Sequence, residues 1–196
     1  MPLGAHKVAL FGVAGVSTGD VVLLSTQTAS DSASLDFTSG IDSTYGEYIF
    51  KFYNINPVTD GANFTFQVNA TDDPGGDYDV SLITSSYFDV YQHGTALEYR
   101  TSNDLAQAAS FQILSVAIGN AADETTAAGE LHLFNPSSTT YVKHFHGATH
   151  YYHWADTAYS AYVGGYINDT TAIDEISFKM STGNFDGTIK MWGVKN

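Results

Sequence analysis

Cysteine is absent from this chain. Neither a disulfide nor a thiolate metal site can hold it together, and the redox compartment is left open. Positive charge is scarce. Lys and Arg number 7 against 21 Asp and Glu in 196 residues, a formal net charge of −14. Phosphate backbones and anionic membrane surfaces both need clustered cations, so the balance argues against nucleic acid and against docking on a membrane. No apolar run approaches the roughly 20 residues that span a bilayer, which argues against membrane insertion. The apolar stretch Val8 to Val16 is broken by Gly12 and Gly15 and preceded by Lys7 alone, and it fits a secretory signal poorly.

What remains is a strand alphabet. Aromatics make up 14% of the residues, Gly numbers 18, and the polar side is mostly Ser, Thr, Asn and Gln. The Glu/Lys/Leu/Ala composition of long helices is missing. Asn63 to Asn69 (N-F-T-F-Q-V-N) alternates apolar and polar residues, the signature of an antiparallel strand with one wet face. Tyr48 to Tyr53, Leu131 to Leu133, Tyr141 to His146, Ser160 to Ile167, Ile176 to Met180 and Thr188 to Val194 alternate or run apolar. Phe111 to Ile118 is continuous enough to be a central strand. Turn formers separate these runs at Asp60-Gly61, Pro74-Gly75-Gly76, Asn135-Pro136, Gly183-Asn184 and Asp186-Gly187. Asp104 to Ala109 is the best candidate for a short helix.

This spacing, without long alternating helices, predicts an all-β, antiparallel jelly-roll-like β-sandwich. Residues 19–196 would form the sandwich, and residues 1–18 a short N-terminal arm that attaches to a neighbour. Phe50, Phe52, Phe64, Phe66, Val68, Ile176, Phe178, Ile189 and Met191 are the expected core.

The densest chemistry lies at Lys143 to Trp154 (K-H-F-H-G-A-T-H-Y-Y-H-W), which holds four of the seven histidines. His144 and His146 share a strand face. If Gly147-Ala148-Thr149 is a hairpin loop, His150 comes opposite His146, and the three imidazoles could hold a divalent transition metal. An H-x-H strand repeated around a threefold axis offers the same chemistry. The plainer reading is a His/Tyr-rich surface hairpin with no cofactor. Asp72, Asp73, Asp77 and Asp79 flank a Gly loop, but the register of a calcium hand is missing, and an acidic turn is the better reading. Tyr151, Tyr152, Trp154, Tyr159, Tyr162 and Tyr166 are candidates for sugar stacking or for a subunit interface, with core packing as the default. No nucleophile elbow, zinc-protease helix, phosphate loop or dinucleotide motif is present, and nothing selects a carboxylate pair for glycoside hydrolysis. The expectation is a protein that is not an enzyme and has no catalytic residues.

Three stretches carry a resemblance: S-T-Q-T-A-S-D-S-A-S-L-D-F-T-S-G-I-D-S-T-Y-G-E-Y-I-F-K-F (25–52), L-H-L-F-N-P-S-S-T-T-Y-V-K-H-F (131–145) and F-K-M-S-T-G-N-F-D-G-T-I-K-M-W-G-V-K (178–195). They resemble a family of small structural proteins from marine tailed bacteriophages, including cyanophages. The closing G-N-F-D-G-T-I-K-M-W-G is the most specific part, and the histidine stretch is the part least like the family. The resemblance implies a virion protein, displayed on the particle as a head decoration or a tail or fibre component. It implies attachment to other virion proteins and supplies no catalytic residues. Aromatic richness with low charge suits a homo-oligomer, and the expectation here is a trimer. Two competing classes stand beside this one. One is a receptor-binding module that grips host surface glycans. The other is a glycan-cleaving enzyme.

Overall fold

A computed structural model describes residues 20–195 except 79, 94, 95, 101 and 122–125, and of residues 93 and 96–100 it describes the backbone alone. The expected arm at 1–18 and Asp79 lie outside the described residues. Twelve strands follow one another: β1 (Val21–Ser32), β2 (Ser34–Phe37), β3 (Glu47–Pro57), β4 (Ala62–Ala70), β5 (Ile83–His93), β6 (Ala96–Arg100), β7 (Gln112–Ile118), β8 (Ala127–Phe134), β9 (Lys143–His153), β10 (Thr157–Ile167), β11 (Ile173–Met180) and β12 (Phe185–Val194). Every strand pairing is antiparallel, and the described residues contain no helix.

Eight of these strands form two four-stranded layers, β1-β12-β3-β8 and β2-β11-β4-β7. Each strand of one layer has its chain neighbour in the other: β1 with β2, β12 with β11, β3 with β4, β8 with β7. That interleaved order is the winding of a jelly roll. Two strand pairs are added to this frame. β9 and β10 are inserted between β8 and β11, and β5 and β6 between β4 and β7. They extend the first layer beyond β8 in the order β9-β10-β5-β6, giving one sheet of eight strands. A single pairing, Ile118 with His153, joins β7 to β9 and closes the sandwich at that corner.

Side-chain alternation turns one face of each layer inward. All nine expected core residues are buried. The centre is a phenylalanine cluster. The Phe178 ring meets Phe37, Phe50, Phe52, Phe64 and Phe66 at centroid distances of 5.3–6.4 Å. Rings at these separations add edge-to-face attraction to the area they bury.

Three local expectations fail, each for a physical reason. The polar face of β4 is not wet. Thr65, Gln67 and Asn69 are buried, because the segments flanking β5 and β7 fold over them. Gln67 Nε2 donates to the Ser81 and Ser110 carbonyls, Thr65 Oγ1 to Lys179 O, and Asn69 Nδ2 to Pro74 O. Asp104 to Ala109 is not a helix. It lies along β5, where Ile83 and Ala108 exchange both backbone hydrogen bonds and Ser85 N donates to Leu105 O. Ladder groups on β5 need partners, and this segment supplies them at the expense of local helix propensity. Phe111 to Ile118 contributes β7, which is the outermost strand of the smaller layer because it pairs with β4 on one side and meets β9 only at Ile118 on the other, although none of its residues is exposed.

Candidate binding face on the enlarged sheet

The histidine stretch is one uninterrupted strand, β9, and not a hairpin. Gly147, which reads as a turn residue, sits in mid-strand because β8 presses against it. A Cβ there would lie 3.2 Å from Glu130 O and 3.3 Å from a Leu131 methyl. The chain turns instead at Trp154 to Asp156, where Asp156 takes a positive φ of 58° and accepts a hydrogen bond from the Tyr152 hydroxyl at 3.1 Å.

This corrects the expected metal cluster. His144, His146 and His150 all point outward from β9, as their even spacing requires. At about 3.3 Å per residue, His146 and His150 stand about 13 Å apart and His144 and His150 about 20 Å apart, so no single ion reaches all three. Each has a separate neighbour. His144 packs edge-on to Tyr166, His150 Nδ1 lies 3.0 Å from Ser160 Oγ, and His146 stacks on His132 with ring centroids 4.5 Å apart.

His132 ties this row together. It faces His146 across the β8–β9 ladder. Its Nδ1 lies 2.5 Å from Glu47 Oε1, and its Nε2 lies 3.3 Å from Glu130 Oε1. Glu130 in turn pairs with Lys51 Nζ at 3.5 Å. Burial alone would push the Glu130 carboxyl up, yet His132 and Lys51 together hold it below the usual carboxylate range. Burial, and then the neighbouring His132, lowers the His146 imidazole below its ordinary value. The sequence shows His132 only as an outward residue of a short strand. Its partners Glu47 and His146 come from other strands, and only the register reveals them.

The aromatic candidates divide. Tyr151 and Tyr159 are buried at 1% and 4% exposure. They stack with each other at 5.4 Å, and Tyr159 also stacks on Tyr91 and His153 at 4.6 Å and 4.5 Å. They pack the inner side of the added strands and offer no face to a ligand. Tyr152 is half-buried beside the turn, Trp154 is exposed at its tip, and Tyr162 is exposed on β10. The acidic turn brings Asp72 and Asp73 together with Asp169, which the sequence had placed elsewhere. Lys143, fully buried, sits beside them, its ammonium donating to the Asp169 and Thr171 carbonyls. This cluster therefore carries its own cation.

Outward side chains from β3, β8, β9 and β10 border a shallow trough of about 530 Å³. Tyr53 and Lys51 stand on one side, Tyr162 on the other, and Ala128 and Ala148 lie between them. Glu130 is the single carboxylate that borders it among the described residues. No known protein family matches the chain, and no curated protein matches it.

Proposed function

We propose that this protein is a non-enzymatic structural component of a tailed-phage virion, displayed on the particle surface as a head decoration or a tail or fibre part. The observation that carries this reading is the complete jelly-roll winding of eight strands, an architecture used repeatedly for particle shells and display domains. Likeness of fold alone is analogy, and two features of the chain add to it. Residues 25–52, 131–145 and 178–195 resemble phage structural proteins. The strongly acidic surface keeps many identical copies soluble before assembly. In this reading residues 1–18 attach the domain to other virion proteins, and the domain works as a homotrimer.

The test is the copy number of this chain in purified particles, measured by quantitative mass spectrometry. Hundreds of copies place it on the head, and a few to tens place it on the tail. A chain expressed during infection but missing from the particle overturns the proposal. Deleting residues 1–18 should leave a folded domain that no longer joins particles. Sedimentation of the free and particle-released protein tests the trimer, and a monomer in both removes that part of the reading.

A further inference from the structure

The outer face of the enlarged sheet has an uneven relief. Where Lys51 pairs with Glu130, Glu130 with Ala148 and Ala148 with Tyr162 across the ladders, two large polar side chains are followed by a methyl group and then by an aromatic wall. One residue pair further along, Ala128 faces His150 and His150 faces Ser160. Tyr53 and Tyr162 are 42% and 43% exposed and offer apolar ring surface where they border the trough. Three strand spacings separate β3 from β10, and Tyr53 lies two residues along β3 from the Lys51 row that ends at Tyr162, so the two rings stand about 16 Å apart. Both are held in place from behind. Tyr162 stacks on Phe88 at 5.1 Å and 21°, and Lys190 Nζ lies 5.3 Å from the Tyr53 ring centroid.

We propose that the trough between Tyr53 and Tyr162 is a binding site for a neutral oligosaccharide, held by stacking on the two tyrosines and by hydrogen bonds to Lys51, Glu130 and His150. Its volume falls within the common range for small-ligand sites, which combine apolar walls with a few placed polar groups. Lys51 and Glu130 present a cation and an anion 3.5 Å apart, each about 40% exposed. Sugar hydroxyls donate and accept, so they satisfy both members of such a pair. An apolar protein surface would desolvate the pair without replacing its hydrogen bonds with water. An acidic sugar or a phosphate would meet Glu130 within a chain of net charge −14. The usual route of glycoside hydrolysis uses two carboxylates across the scissile bond, and Glu130 is the one carboxylate that lines the trough among the described residues. The proposal is therefore of binding and not of hydrolysis. It stands or falls independently of virion display, because the trough is complete within one chain.

The experiment follows amide shifts of the full chain on titration with maltotriose, cellotriose and chitotriose, with trigalacturonate as the acidic counterpart. At least one neutral trisaccharide should shift the amides of residues 148–150 and 160–162 and saturate at millimolar concentration or below. Tyr162→Ala should weaken it about tenfold or more. Ala148→Phe, which fills the trough from its floor and removes no polar group, should abolish binding. Trp154→Ala, at the turn and outside the trough, should leave it unchanged. The proposal is overturned if no neutral trisaccharide moves these amides, if binding survives both Tyr162→Ala and Ala148→Phe, if trigalacturonate binds as tightly, or if Trp154→Ala removes binding. It is also overturned if the wild-type chain self-associates through this face and Ala148→Phe disperses it, since a second copy is then the occupant.

Discussion

The eight jelly-roll strands and the four added ones are built from different aromatics. β5, β6, β9 and β10 contain eight of the 13 tyrosines and, of the 12 phenylalanines, only Phe88 and Phe145. The jelly-roll centre is a dry cluster around Phe178. The added strands pack their inner side with Ile83, Phe145, Val163 and Ile167 and also with Tyr87, Tyr151, Tyr159, Asp89 and Thr149, which carry polar atoms. Those atoms need specific partners. The Tyr87 hydroxyl donates to Asp89 Oδ2 at 3.3 Å, and Ser115 Oγ lies 3.0 Å from Thr149 Oγ1, which donates to Leu114 O at 2.6 Å. A phenylalanine core tolerates small shifts, whereas a hydrogen-bonded one fixes a single geometry and loses more when that geometry is disturbed. The added strands are thus the more exacting region, and the sheet face that they extend is the one that carries the trough.

Four measurements sharpen or break this contrast. Phe178→Ala should cost the most, about 3–5 kcal/mol, because it empties the point where five other rings meet. Urea unfolding should show one transition at a lower midpoint, and a cost below about 1 kcal/mol would mean that the cluster does not carry the core. Gly165→Ala should cost about 2–3 kcal/mol, since a Cβ at 165 lies 2.9 Å from both the Phe145 ring and Ser85 Cα. Its damage should be local. Hydrogen exchange should rise in β5 and β10 while β3 and β12 stay protected, and an equal rise in all four would show that the two regions unfold as one unit. Tyr87→Phe should cost about 1–2 kcal/mol by withdrawing a donor from the buried Asp89, and a neutral outcome would show that the polar packing of the added strands is incidental.

The smallest effect is on pH dependence. His146 titrates below its ordinary value in the folded chain, so between that lowered value and about 6.5 the unfolded chain binds the extra proton. Stability should fall as pH drops through this window and level off beneath it. Glu130, held low when folded, adds a further loss as pH falls through the carboxylate range. His146→Gln should flatten the first part of the profile, read from unfolding midpoints between about pH 7 and 5. An unchanged slope would place the acid sensitivity elsewhere.

Much of the frame could be read from alternation alone. Phe64, Phe66 and Val68 on β4 and Ile189 and Met191 on β12 announce their buried face by period two, and the structure buries them. Alternation also set His144 and His146 on a common face, whereas His150 was expected opposite them across a hairpin and instead follows them along one strand. It could not tell which strand lies beside that face. His132 and His146 become neighbours only through the β8–β9 register, and Tyr53 and Tyr162 through two intervening strands. Gly147 misled because glycine serves two purposes, a turn and a close approach, and the local sequence does not separate them. Gln67 misled because a polar residue at an alternating position is wet only if nothing folds over it. The loops that cover it are distant in sequence and have no periodicity of their own.

The pairing of β1 with β12 bears on how the chain reaches this state. Val21 lies opposite Val194 and Gln27 opposite Ile189, and Lys195 N donates to Asp20 O. Among the described strands β1 pairs with β12 alone, so during synthesis none of them can complete the β1 ladder until β12 has left the ribosome. At about 5–20 residues per second, that is a wait on the order of ten seconds or more. Throughout it, Val21 and Leu23 and the unpaired edge beside them are open to strands of other nascent copies. A fold closed by its two ends completes late, at the slow end of single-domain folding, where non-local pairing sets the rate. High-level expression should therefore strain this chain at the stage of edge protection, well before the stability of the finished sandwich becomes the limit.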